Sequence, residues 1–279
     1  MKRIQFYLVF FLFITITSCE SLSSVIQEPR LSFKSVEIDR ISLTGMDLIA
    51  NIEIENRNGF SIPLPKIDWE LFINDSPFIQ GVLHNERSIS SRGKDTVSLP
   101  LSLTYEGVLN SFASMIGTGE AAYQIALGIT FPIPVIEQKI YRLDFSGVIP
   151  LPQLPKLNFQ APRVARIDLL GVELAFDINV ENPNRFPIPF PVINWDLEVG
   201  GVPMLRNRFT GSETIAAEAS GAATISMGVA YADIFRAVSS LRNAREAPFR
   251  LTLDIASPIP ALSSLSNIVT IPGALPILR

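Results

Sequence analysis

Adding 126 to a residue number carries much of the first half of this chain onto the second. Between Ile52–Asp75 and Ile178–Gly201, 11 of 24 positions are identical, among them Asn56, Asn58, Phe60, Ile62, Pro63, Pro65, Ile67, Trp69 and Leu71. The register extends upstream, where Pro29, Leu31, Phe33, Arg40 and Gly45 meet Pro155, Leu157, Phe159, Arg166 and Gly171. It slips by two residues near Gly93 and Gly221 and then returns, so that Tyr105 meets Tyr231. A period this long is a whole domain, not a solenoid unit of roughly 20 to 50 residues. One architecture is therefore written twice, at 29–149 and 156–279, with the proline-rich Pro150–Pro155 as a short stiff joint.

The period within each copy is that of strands. Leu48, Ala50, Ile52 and Ile54 alternate with Asn51, Glu53 and Glu55, and Leu174, Phe176, Ile178 and Val180 repeat the pattern. Alternation of this kind marks a half-buried strand in an antiparallel sheet. Ile67, Trp69, Leu71 and Ile73 form a second such face, with Ile193, Trp195, Leu197 and Val199 in the other copy, which places both tryptophans toward a core. Further strands are expected at 33–43, 77–89, 96–105, 123–130 and 139–147. Val108, Leu109, Phe112, Met115 and Ile116 have helical spacing instead, stopped by Gly117 and Gly119, and Ile234, Phe235, Val238 and Leu241 repeat it. The expected fold is mostly β: two tandem antiparallel β-sandwiches, each with one packed α-helix.

Prolines explain the stretch "VENPNRFPIPFPVINWDL" at Val180–Leu197. In an extended strand, Pro187, Pro189 and Pro191 remove N–H donors from one lateral side, while Ile188 and Phe190 keep theirs for a neighbour on the other. Such a segment is an edge closed to further strand addition, and Pro63 and Pro65 do the same in the first copy. Asn182-Pro183-Asn184 reads as a turn, for which the first copy has Asn58-Gly59.

The first residues carry an address. Met1-Lys2-Arg3 is basic, Phe6–Ile14 is apolar, and Ile16-Thr17-Ser18 precede Cys19, the one cysteine of the chain. The apolar block is far shorter than the roughly 20 residues of a membrane span. The pattern is expected to be a signal peptide, residues 1–18, ending in a lipobox, with Cys19 as the lipid attachment site and 19–28 as a tether. The alternative is cleavage elsewhere, leaving Cys19 discarded or as a free thiol. Two lipid chains or more on Cys19 would hold the chain at a membrane where one holds only marginally. Glu20 is not the aspartate that marks inner-membrane retention, so the expected place is the cell envelope, at the outer membrane facing the periplasm.

The formal net charge of −4 becomes −6 once Lys2 and Arg3 are gone, and basic clusters are missing, which argues against nucleic acid as a partner. Residues with chemistry to offer are few. His84 is the one histidine and sits in a loop-like stretch opposite Thr210 of the other copy. Ser91-Arg92-Gly93-Lys94 has the Ser-x-x-Lys spacing of a nucleophile–base pair, but in an expected turn and without the accompanying motifs. Asp68 and Glu70 share an outer strand face, as Asn194 and Asp196 do, which is more often a solvated face than a weak calcium site. The sequence therefore points to no catalytic residue, no metal and no cofactor.

Strand, Asn-Pro-Asn, Phe-x-Ile-Pro, strand and small-residue turn, "INVENPNRFPIPFPVINWDLEVGG", resembles the LEA type 2 or WHy domain. The resemblance spans nearly all of the chain after the tether, with Arg57 and Gly59 as departures in the first copy. It implies a fibronectin-like sandwich, a link to desiccation and water stress, no established catalytic residues, and a family that includes lipoproteins. The expected function is a non-catalytic envelope lipoprotein in stress protection or protein interaction. The alternative is a carrier of lipid or another hydrophobic ligand, with an apolar groove in each sandwich. Partners are then the membrane through Cys19 and either envelope proteins or such a ligand.

Overall fold

The computed structural model describes residues 26–132 and 139–277, so the expected signal peptide and Cys19 lie outside the described residues. In the first copy, β1 (Arg30–Ile41), β2 (Gly45–Glu55) and β7 (Lys94–Thr104) form one antiparallel sheet in the order β1-β2-β7. The other sheet runs β5-β4-β8-β9, from β4 (Lys66–Ile73), β5 (Ser76–Leu83), β8 (Glu120–Thr130) and β9 (Ile140–Pro150). The two-residue strands β3 (Ile62–Pro63) and β6 (Ser88–Ile89) pair beside them. The second copy repeats the plan. β12 (Gly171–Glu181) pairs with β17 (Ser220–Ala230), and β13 (Ile188–Pro189) with β16 (Thr214–Ile215). The four-stranded sheet runs β15-β14-β18-β19, from β14 (Val192–Val199), β15 (Val202–Thr210), β18 (Glu246–Ala256) and β19 (Ser266–Pro276).

The alternation read from the sequence becomes burial. Leu48, Ala50, Ile52 and Ile54 of β2 are buried while Asn51, Glu53 and Glu55 are half-buried, and β12 buries Leu174, Phe176, Ile178 and Val180. Taking such a side chain fully out of water is worth about 1.5–3 kcal/mol, so these repeated faces are what hold the sheets together. Between β4 and β5, Asn74 and Asp75 both have positive φ, 47° and 62°, and Gly200 and Gly201 do likewise at 58° and 80°. Two consecutive positive-φ residues are what a type I′ hairpin turn requires.

By compactness, the described residues fall into two units: one of residues 26–40, Asp47–Ser102 and Ala121–Ile149, the other of Ile41–Met46, Leu103–Glu120 and Pro150 onward. Sequence period and compactness are thus different partitions, because the hairpin tip and helix of the first copy cluster in the second unit. That helix, α1 (Tyr105–Ser111), begins where Thr104 Oγ1 accepts from the Gly107 N–H at 3.2 Å. Its counterpart α2 (Tyr231–Ala237) has Ala230 at that position and no side-chain cap.

Several boundaries differ from expectation for local reasons. The α-helix starts at Tyr105 and stops at Ser111, before a 3₁₀ turn at Ala113–Met115, because Phe112 leaves helical geometry with φ −135° and ψ 68°. The single strand expected over 77–89 is two, since after Leu83 the chain leaves β4 to pair Ser88–Ile89 with Ile62–Pro63. In the second copy the first strand divides into β10 (Lys156–Phe159) and β11 (Arg163–Ile167), both paired to β12. Pro162 lies in the gap, where the first copy has Val36, and a proline cannot donate to the ladder.

Candidate functional site

The proline segments behave as edges. The N–H of Phe190 donates to the Glu213 carbonyl at 3.0 Å, and that of Leu64 to Arg87 at 2.9 Å, so the donors between the prolines are used on one side. What sits beside them is more specific. Asn56, Asn58, Asn182 and Asn184 are the buried polar or charged side chains among the described residues, each less than 5 % exposed.

Each pair does one job. The Nδ2 of Asn182 donates to the carbonyls of Phe186, Ala216 and Ile215 at 2.8, 2.9 and 3.4 Å. Its Oδ1 accepts from the backbone N–H and the Nδ2 of Asn184, both at 3.0 Å. Asn184, held this way, turns its amide toward an incoming extended chain: Oδ1 accepts from the Gln153 N–H at 2.7 Å and Nδ2 donates to the Gln153 carbonyl at 2.9 Å. In the first copy Asn56 reaches Phe60, Ser90 and Ile89, and Asn58 grips Gln27 through the same two bonds at 2.7 and 2.8 Å. A side-chain amide thus satisfies both polar groups of one backbone residue, as a neighbouring strand would.

The same bonds correct the register read from the sequence. Asn56 N–H donates to Gly93 and Arg92 N–H to Asn58, while Asn182 N–H donates to Ala219 and Glu218 N–H to Asn184. Arg92 and Glu218 both have positive φ, 49° and 54°. The offset of 126 therefore continues through this turn, and the two-residue slip near Gly93 and Gly221 is not present in the fold. The asparagines read as turn residues are more than that. Their signal was an i, i+2 pair at the end of a strand in both copies, together with Gln27 and Gln153 at the same offset.

Of the other residues singled out in the sequence, those of the Ser91–Lys94 turn adjoin this place through Arg92 and Gly93. His84 is exposed after β5. Lys94 pairs with Glu53 and Glu55 at 3.3 and 3.5 Å, and Glu53 is held below the usual carboxyl range by hydrogen bonds from Lys34 and Lys94, so Lys94 serves a strand face. Asp68 pairs with Lys66 at 2.8 Å. It borders, with Glu70, Val82, Ile140, Arg142 and Asp144, a surface depression of about 690 Å³ on β5-β4-β8-β9. Asp196 pairs with Arg206, and Asn194 is exposed. Among the described residues no group of three or more His, Cys, Asp or Glu is placed to hold a metal ion.

The aromatic residues divide between the copies. Trp195 is buried, opposite Asn207, whereas Trp69 is only half-buried, with its ring over Gly81. The core-facing reading is thus met in full by Trp195 and in part by Trp69. Tyr231 donates its hydroxyl to the Pro276 carbonyl at 3.0 Å. The hydroxyl of Tyr105 is buried without a hydrogen-bond partner among the described residues, and burial pushes its pKa up to about 12.

The model of the family described as late embryogenesis abundant protein matches residues 51–145 and again 177–264. A desiccation-related protein of Arabidopsis thaliana is 24% identical over 129 residues, 46% of this chain and 78% of that protein. A desiccation protectant protein Lea14 homolog of Glycine max is 25% identical over 128 residues, 46% and 84% respectively. Among solved structures, the solution structure of an Arabidopsis thaliana protein overlaps 46% of this chain and 85% of its own at 19% identity, with a TM-score of 0.38. The curated relatives match a length close to one copy of the repeat. With the family model covering more than half of the chain in two places, this chain belongs to the late embryogenesis abundant family, type 2, with the domain present twice.

Proposed function

We propose that this is a lipid-anchored, non-catalytic envelope protein that acts in desiccation and water-stress protection. The observation that carries the stress reading is the double family match to a family with desiccation-related members. The anchoring reading rests on Ile16-Thr17-Ser18-Cys19 and on the short path from Cys19 to Gln27, the first residue gripped by an asparagine. At roughly 3.3–3.6 Å per residue that path reaches less than about 30 Å, so the first sandwich works close to the bilayer. The non-catalytic reading is supported by how the polar groups are used: the buried amides hold backbone, and amides at neutral pH offer no titrating proton.

The test has two arms. Intact mass of the wild-type protein from cells should carry added lipid that Cys19→Ser lacks, and the variant should move to the soluble envelope fraction. A test enzyme dried and rewetted with the Cys19→Ser chain should keep several-fold more activity than with an equal mass of albumin. An unmodified wild-type mass overturns the anchor. Enzyme recovery no better than with albumin overturns protection.

A further inference from the structure

Each sandwich has an entrance end, where asparagine grips the incoming chain, and a helix end, where the hairpin tip before β2 or β12 meets α1 or α2. The two ends lie at opposite limits of one 11-residue strand, β12 in the second copy. Inside the second unit, the helix end of the first copy is covered by the entrance end of the second. The Tyr105 ring lies 5.6 Å from that of Phe186, and α1 contacts the turn at Pro260–Leu262. Gly119 approaches the Gln153 side chain so closely that a Cβ there would sit 2.0 Å from it. Leu109, Met115 and Phe186 are accordingly buried.

Among the described residues this contact is made once, and one example of each half is left uncovered. At the helix end of the second copy, Leu169 and Leu170 are each 80% exposed, where the first copy has half-buried Leu43 and the polar, exposed Thr44. Phe235 and Leu241, the counterparts of buried Leu109 and Met115, are half-buried. At the entrance end of the first copy, Phe60 is 44% exposed, where Phe186 is 2%. Two adjacent leucines at a tip carry an apolar surface that no described residue of their own sandwich covers.

We propose that a second copy of this chain is the occupant: the helix end of one second sandwich docks on the entrance end of another molecule's first sandwich. The contact is heterologous, because the two halves are different surfaces, so it propagates head to tail and does not close as a two-fold dimer does. It goes beyond the protective function proposed above and does not depend on the anchor. Within the chain the contact forms at the millimolar effective concentration that a short connection gives. Between chains it should therefore become populated only at roughly 0.1–1 mM.

Sedimentation equilibrium of residues 19–279 carrying Cys19→Ser, with circular dichroism to confirm folding, gives the test. Weight-average mass should rise from monomer through dimer and beyond over that range. Leu169→Asp with Leu170→Asp removes one half, and Phe60→Asp removes the other; all three side chains are exposed, so the fold tolerates the changes. Each variant alone should stay monomeric, and an equimolar mixture should reach the dimer mass and stop there, since each partner retains only one half. A wild-type chain that is monomeric to about 1 mM overturns the proposal, including the case in which the leucines instead bring it to lipid vesicles. So does association that persists in either variant alone, or a mixture that remains monomeric.

Discussion

Asn182→Ala is expected to lower the unfolding free energy of the second sandwich by about 3–5 kcal/mol, at the far end of what single substitutions do. The change removes the donor that three carbonyls share, those of Phe186, Ala216 and Ile215. It also removes the acceptor that fixes Asn184, whose grip on Gln153 then loses its support. A buried group left without its partner costs about 1–3 kcal/mol, and alanine brings neither a replacement bond nor water to a site that is fully buried. Asn56→Ala should act in the same way on the first sandwich, because every one of these bonds has its counterpart there. Asn194→Ala, on an exposed face of β14, should stay within about 0.5 kcal/mol. Urea unfolding followed by Trp195 fluorescence, in a Trp69→Phe background so that only one sandwich reports, measures all of these but Asn56→Ala, which is followed by Trp69 in a Trp195→Phe background.

The second large effect separates the two tryptophans. Trp195→Ala should cost about 3–5 kcal/mol, the range for emptying a filled aromatic site in a core. Trp195 is 5% exposed, in line with Ile193 and Leu197 on the buried face of β14. Trp69→Ala should cost roughly half as much or less, since its ring is half in water and leaves a groove that solvent can enter in place of a closed cavity. Unfolding by urea, followed by far-ultraviolet circular dichroism, gives both values. Equal costs would mean that Trp69 has more of its surface enclosed than the ring over Gly81 implies.

What was legible in the sequence was what alternates locally. The faces of β2, β4, β12 and β14 follow from period two, and the proline segments announce edges because a missing N–H is a property of the residue itself. The tryptophans show where this stops. Their strands share Ile, Trp and Leu at alternate positions, yet Gly81 stands opposite one tryptophan and Asn207 opposite the other, which only the register of pairing reveals. The asparagine network escaped for the same reason on a larger scale. Asn184 grips a residue 31 positions before it, and Asn182 donates to one 34 positions after it, so no window along the chain contains the site. A turn reading of Asn-Pro-Asn accounts for the backbone and misses the amides. Only the recurrence of Asn56, Asn58 and Gln27 as Asn182, Asn184 and Gln153 carries the signal in one dimension.

The paired asparagines are structural hands, each holding the chain as it enters a sandwich. Native-state amide hydrogen exchange tests it at two sites. The N–H groups of Gln27 and Gln153, which donate to Asn58 and Asn184 at 2.7 Å, should exchange at least about 100-fold more slowly than unstructured amides. Asn184→Ala should release Gln153 while leaving Gln27 protected. Exchange of both amides at unstructured rates in a chain whose β2 and β12 amides remain protected would mean that the asparagines do not hold the entering chain.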